Sequence, residues 1–76
     1  MWIVKGTTVT QHTCYALLSL LDSIGYDTEW IRFIWNLNGI SNLWCAKRCL
    51  EIINTNGIII PNYMNIPELF FVVDGE

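Results

Sequence analysis

The stretch "GISNLWCAKRCLEIINTNGIII", from Gly39 to Ile60, decides how this chain folds. Gly39 ends the preceding segment, Ser41 is a favourable N-cap, and Gly57 supplies a stop about four turns later. Apolar residues between these signals recur at helical spacing. The positions on the core-facing side are Leu43, Ala46, Leu50 and Ile53. The stretch therefore predicts a helix with defined ends, followed by a short β-rich run.

The opposite side of this third helix is predicted to be exposed, and its composition is unusual for a polar surface. It carries Trp44, Arg48, Ile52 and Thr55, with Lys47 and Glu51 on one flank and Cys45 on the other. Tryptophan and arginine beside apolar residues are enriched in protein interfaces. We therefore expect this face to contact protein, with Trp44, Arg48 and Ile52 as the binding residues.

Two further helices precede it. "QHTCYALLSLLDSIG" has an apolar face made of Cys14, Leu17, Leu18, Leu21 and Ile24. The preceding "TTVT" offers several N-cap candidates, among which Thr8 and Gln11 have the spacing of a capping box, and Gly25 ends the helix. "TEWIRFIWNL" follows, capped by Asp27 or Thr28, and is apolar nearly all round, which predicts burial on more than one side. Its aromatic residues, Trp30, Phe33 and Trp35, are interpreted as core plus an association surface.

β-rich runs lie at both ends of the chain. "MWIVKG" is predicted to be a short strand. "IIIP" and "ELFFVVD" are predicted to form a hairpin joined by "NYMNIP", with Tyr63 and Met64 as a contact finger at its tip. Phe70 and Phe71 must face opposite sides of their strand, and Trp2 is a candidate to cover one of them. The predicted fold is a single α+β domain over residues 1–76, with a strand, three helices and a hairpin.

That element order resembles the winged helix-turn-helix superfamily, over about Thr10 to Val73. "GIS" is similar to the turn before the recognition helix, and "CLEIINTNGIII" to the end of that helix running into the wing. The resemblance implies a winged-helix-like fold. Most members bind DNA with helix three in the major groove and the wing on the backbone, and a large minority are protein–protein modules. The N-terminal strand departs from the family pattern and is free to pair with the C-terminal hairpin.

Composition limits the functional classes. Of 76 residues, 53% are hydrophobic and only 14% charged, which excludes disorder and favours burial against a partner, as in a homodimer or small oligomer. The net charge of −3 is opposite to that of most small nucleic-acid binders. Three cysteines form no even-numbered disulfide framework, no signal-peptide pattern is present, and no apolar run reaches the about 18 residues of a membrane helix. We expect a reduced, cytoplasmic protein with no membrane partner.

Catalytic and metal chemistry find little support in the sequence. His12 and Cys14 are two apart on a helix and so point in different directions. A metal site from His12, Cys45 and Cys49 would lack a fourth ligand. Cys14 and Cys49 are interpreted as core residues, with Cys45 partly exposed. No catalytic residue, metal site or cofactor is predicted.

The sequence therefore predicts a small, non-enzymatic interaction protein. It would be a regulator or inhibitor that docks on a larger protein machine, and its size and composition suit a viral or phage protein. The alternative is a dimeric DNA-binding transcription regulator, with Arg48 and Asn42 on bases and Lys47 and Arg32 on phosphates. Against DNA, the predicted hairpin contains no Lys or Arg, and Glu68, Asp74 and Glu76 cluster around it. A structural subunit of a homo-oligomer, joined through helix two, is a third hypothesis.

Overall fold

A computed structural model describes residues 1–73 of the chain; the predicted strand end at Asp74 and the acidic Glu76 lie outside the described residues. The elements in order are β1 (Trp2–Val4), α1 (Gln11–Ser23), α2 (Glu29–Trp35), α3 (Asn42–Asn56), a 3₁₀ turn (Asn62–Met64) and β2 (Leu69–Phe71). The α+β class, the N-terminal strand and the three helices are confirmed.

The third helix has the ends that its sequence predicts. The hydroxyl of Ser41 accepts a hydrogen bond from the N–H of Trp44 at 3.2 Å. Gly57 adopts a left-handed φ of 65°, and the N–H of Ile58 closes the helix end on the carbonyl of Ile53 at 2.9 Å. These local hydrogen bonds set the bounds of α3 independently of the core.

The first helix begins at Gln11, as predicted, but the capping box of Thr8 and Gln11 is wrong. Thr10, not Thr8, is the N-cap, and its hydroxyl accepts from the N–H of Thr13 at 3.3 Å. A residue distant in sequence reinforces this choice, because Glu68 accepts hydrogen bonds from both Thr10 and Thr13. The helix start is therefore fixed by a tertiary contact as well as by its own cap.

The predicted C-terminal hairpin is also wrong. Residues 58–60 form no strand, and the partner of β2 is β1. The N–H of Ile58 is used by the end of α3, and Pro61, which has no N–H to donate, leads into the 3₁₀ turn. With the hairpin absent, the winged-helix resemblance reduces to the order of the three helices.

The two strands form an antiparallel sheet in which Trp2 pairs with Phe71 and Val4 with Leu69. The rings of Trp2 and Phe71 meet edge to face, with centroids 5.4 Å apart, so Trp2 contacts Phe71 but leaves it 55% exposed. The sheet thus joins the two ends of the chain beside α3.

Helix α3 lies at the centre and packs against α1, α2 and β1. Three neighbours bury more of its circumference than the sequence pattern anticipates. Cys45 is completely buried and Ile52 is only 8% exposed, although both were expected at the surface. Ile24, expected in the core, is exposed just past the end of α1. Other buried core residues include Leu17, Leu18, Leu21, Ile31, Trp35, Ala46, Cys49, Leu50, Ile53, Ile60 and Leu69.

Within residues 1–73, each helix is too short or too polar to cross a bilayer.

Candidate functional site

The exposed face of α3 forms an open cleft of about 380 Å³ lined by Trp44, Lys47, Arg48 and Glu51. Compared with the sequence prediction, this face is rotated towards Lys47 and Glu51 and away from Ile52. The rotation follows from the burial of Cys45 and Ile52 on either side. We call these four residues the α3 cleft.

Arg48 is held in place within the α3 cleft. Its guanidinium carbon lies 5.7 Å from the ring centroid of Trp44, one helical turn earlier, in cation–π range. Its Nη1 donates to the Glu51 carboxylate, and its buried Nε has no hydrogen-bond partner among the described residues. A half-buried tryptophan, a positioned cation and an adjacent carboxylate therefore share one surface.

The structure does not bring the other proposed contact residues to this cleft. Ile52 is buried in the core. Tyr63 is 86% exposed on the 3₁₀ turn, whereas Met64 is partly buried and packs against the core. Because residues 58–60 form no strand, these two residues do not lie at the tip of a hairpin. Of the five predicted partner-binding residues, only Trp44 and Arg48 lie together.

Asn42, predicted to contact bases in the DNA alternative, uses its side chain inside the fold. Its Oδ1 accepts from the indole N–H of Trp35 at 3.0 Å, and its Nδ2 donates to the carbonyl of Val9 at 3.1 Å. Contact with a base would break both of these part-buried hydrogen bonds.

Arg32, predicted to contact phosphate, is engaged with Asp22 at 2.7 Å and with the Thr28 hydroxyl at 3.1 Å. The Thr28 hydroxyl and then the Arg32 guanidinium hold the pKa of Asp22 below its usual value. Within residues 1–73, Lys47 is thus the one DNA-contact candidate that has neither a salt bridge nor a side-chain hydrogen bond.

The three cysteines lie together between α1 and α3, completely buried and unpaired. Cys14 donates to the carbonyl of Asn42 at 3.3 Å, and its interaction with Cys45, together with burial, raises the pKa of the Cys14 thiol. A buried, protonated thiol is a poor nucleophile and a poor metal ligand. His12 is exposed on α1, and in the part of the chain that the structure describes no three His, Cys, Asp or Glu side chains are arranged so that they could hold a metal ion.

A second exposed apolar surface lies on α2. Trp30 and Phe33 are one helical turn apart, and Phe33 is 68% exposed; Leu37, in the turn after the helix, is exposed as well. Tyr15 of α1 is also exposed and contacts the buried Trp35 edge to face at 5.0 Å. Trp35 therefore belongs to the core, and Trp30 with Phe33 form the surface that the sequence predicted for association.

Sequence reasoning missed an apolar groove of about 600 Å³ beside the sheet. Met1, Trp2, Ile59 and Phe71 contribute to its lining, together with residues from the end of α3. The unbroken apolar runs at both ends of the chain were the available signal, but they do not specify which run pairs with which.

No protein-family model matches the chain, and no curated protein or solved structure is significantly similar to it. The interpretation of the α3 cleft accordingly rests on its own geometry.

Proposed function

We propose that this chain is a small non-enzymatic interaction protein, a regulator or inhibitor, that docks on a larger protein through the α3 cleft. The observation that carries the proposal is the arrangement of Arg48, which lies against Trp44 and is paired with Glu51 on an exposed helix face.

This arrangement favours a protein ligand for two reasons. Tryptophan and arginine are the residue types most enriched among interface hot spots. The contacts of Arg48 with Trp44 and Glu51 also restrict its side chain before binding, which lowers the entropy lost on association. The ligand that suits this cleft offers an apolar group for Trp44 and a hydrogen-bond acceptor for Arg48.

DNA binding is the second candidate, and the geometry supports it less. Three of its four proposed contacts, Arg32, Asn42 and Arg48, already bond to side chains or backbone of this chain. Glu51 would place a carboxylate beside the phosphates, and the net charge of −3 opposes approach to DNA. The size and composition of the chain suit an inhibitor of viral or phage origin.

The experiment compares three baits, the wild-type chain, Trp44→Ala and Thr55→Ala, in quantitative affinity capture. Thr55 is exposed on the same helix but does not line the cleft, so Thr55→Ala is the matched control. A specific partner should be retained by Thr55→Ala and lost with Trp44→Ala, with a cost of about 2 kcal/mol or more in binding free energy. Equal capture by all three baits would contradict the proposal.

Duplex-DNA titrations of the same proteins separate the two candidates. We expect no salt-dependent binding. Binding that weakens steeply with salt and is abolished by replacing Lys47 and Arg48 with Ala would support the DNA-binding alternative instead.

A further inference from the structure

Within the described residues 1–73, the outer edge of β2 has no strand partner. Met1 and Val72 exchange two backbone hydrogen bonds of 2.7 Å, so the backbone groups of Val72 face β1. Hydrogen-bonding groups alternate along an antiparallel strand, so the N–H and C=O of the adjacent Phe71 face away from β1. Neither group has a hydrogen-bond partner within residues 1–73. We call this side of the strand the open edge of β2.

The outer edge of β1 is covered by a side chain, whereas the outer edge of β2 is uncovered within residues 1–73. On the outer side of β1, the Asn54 side chain accepts from the N–H of Trp2 and donates to its C=O, both at 2.9 Å. An amide side chain thus replaces a neighbouring strand. Beside β2 lies an open groove of about 300 Å³, bordered by Phe70, Phe71 and the 3₁₀ turn.

The side chains along the open edge are apolar on both faces. Phe71 is 55% exposed, and Phe70, Val72 and Val73 are exposed as well. Charged residues, proline and glycine usually protect an edge strand from pairing. Residues 69–73, "LFFVV", contain none of them. Such an edge accepts an extended strand that is itself apolar and uncharged.

We propose that the occupant of the open edge is the same strand of a second copy of this chain, joined in a two-fold symmetric antiparallel pair centred on Phe71. In this register Phe71 faces Phe71 and Phe70 faces Val72. The pairing ends there, because the outward N–H of Leu69 already donates to the carbonyl of Ile66 at 3.2 Å. The two Phe71 residues exchange two backbone hydrogen bonds, and the two sheets merge into one of four strands.

The second copy fits this edge because its own β2 is apolar and uncharged and presents the same outward N–H and C=O at Phe71. The contact segment is uncharged, so the net charge of −3 on each chain does not place like charges opposite one another within residues 69–73. The exposed aromatic rings gain cross-strand apolar neighbours on both faces. No residue of β2 lines the α3 cleft, so the dimer does not rest on the proposed function.

Sedimentation equilibrium of the full chain over a range of concentrations tests the proposal with a matched pair of variants. Phe71→Pro removes both the ring and the outward N–H; Phe71→Ala removes the ring and keeps the N–H. The inner ladder does not use this N–H, so both variants should retain the fold, as checked by circular dichroism. The wild-type mass should approach twice 8.8 kDa with increasing concentration. We expect Phe71→Ala to dimerise more weakly and Phe71→Pro to remain a monomer.

A mixed-label NMR sample of the wild-type chain supplies a test that does not depend on a variant. The register predicts an intermolecular contact between the α-protons of Phe70 and Val72, which form a close non-hydrogen-bonded pair. A monomeric wild type, a Phe71→Pro variant that dimerises as well as Phe71→Ala, or a dimer without this contact would each overturn the proposal.

Discussion

Trp35 donates its indole N–H to the Asn42 side chain at 3.0 Å, and Asn42 donates in turn to the carbonyl of Val9 at 3.1 Å. These two hydrogen bonds tie α2, the first residue of α3 and the segment before α1 together. The first position of α3 is therefore occupied by structural contacts, in a place where a DNA-reading helix would present a side chain to bases.

Asn42→Ala should consequently destabilise the fold. It leaves the part-buried indole N–H of Trp35 and the carbonyl of Val9 without their partner, and we expect a loss of about 2 kcal/mol in the free energy of unfolding. Urea denaturation measures it, with Asn38→Ala, in an exposed turn, as the control. Wild-type stability in Asn42→Ala would mean that Asn42 is free to contact a ligand.

Ile52→Ala tests the orientation of α3. Because Ile52 is buried, its truncation should lower the free energy of unfolding by roughly 2–5 kcal/mol, whereas Thr55→Ala should change it by about 0.5 kcal/mol or less. Thermal and urea denaturation of the two variants give the comparison. Loss of partner binding at unchanged stability would instead return Ile52 to the surface predicted from sequence.

Asn54→Ala should release β1 from α3. The backbone N–H and C=O of Trp2 lose their partner, at a cost of about 2 kcal/mol in stability. Asn54→Asp keeps an acceptor for the N–H but removes the donor to the C=O, so its stability should be intermediate. Hydrogen exchange at the Trp2 amide reports the effect directly: exchange that is equally slow in Asn54→Ala and wild type would contradict it.

Glu68 should make stability depend on pH. Burial acts to raise the pKa of its carboxyl group, but hydrogen bonds from Thr13 and Thr10 outweigh it and hold the pKa below the ordinary value of 4.5. A lowered folded-state pKa gives a stabilising contribution that is present above pH 4.5 and is lost as pH falls through the folded-state value. Glu68→Gln should remove this acid sensitivity and cost about 1 kcal/mol at neutral pH.

Denaturation midpoints between neutral and acidic pH measure the Glu68 effect. Thr13→Val, which removes the donor at 2.8 Å, should weaken the same pH dependence. An unchanged acid transition in both variants would show that other carboxylates control it.

Local signals predicted the helices well because their determinants lie close together in sequence. Ser41 and Gly57 define the ends of α3 through hydrogen bonds to residues within five positions. The same reasoning failed at Thr8, since Glu68 contributes to the start of α1 from the other end of the chain. The prediction of strand pairing failed for a similar reason. Residues 58–60 and residues 2–4 are equally β-prone, and the sequence contains no local rule that selects which of them pairs with β2.

The candidate site was predicted in part. Helical spacing brought Trp44 and Arg48 together, because residues four apart in a helix are neighbours. Their neighbour Ile52 was assigned to the wrong side, because the pattern of one helix does not specify how many elements pack around it. Tyr63 and Met64 were predicted to bind a partner together because both would lie at the tip of the expected hairpin, which does not form within residues 1–73.

The sequence by itself determined the three helices, most of their buried faces and an apolar excess at both ends of the chain. Periodicity and capping are local properties, which explains why they can be read directly. Only the tertiary structure decided that β1 pairs with β2, that Asn42 and Asn54 satisfy buried backbone and indole groups, and that Cys45 and Ile52 are covered. Each of those outcomes depends on which distant segments compete for the same hydrogen bonds and the same apolar surface, and that competition is resolved only when the whole chain packs.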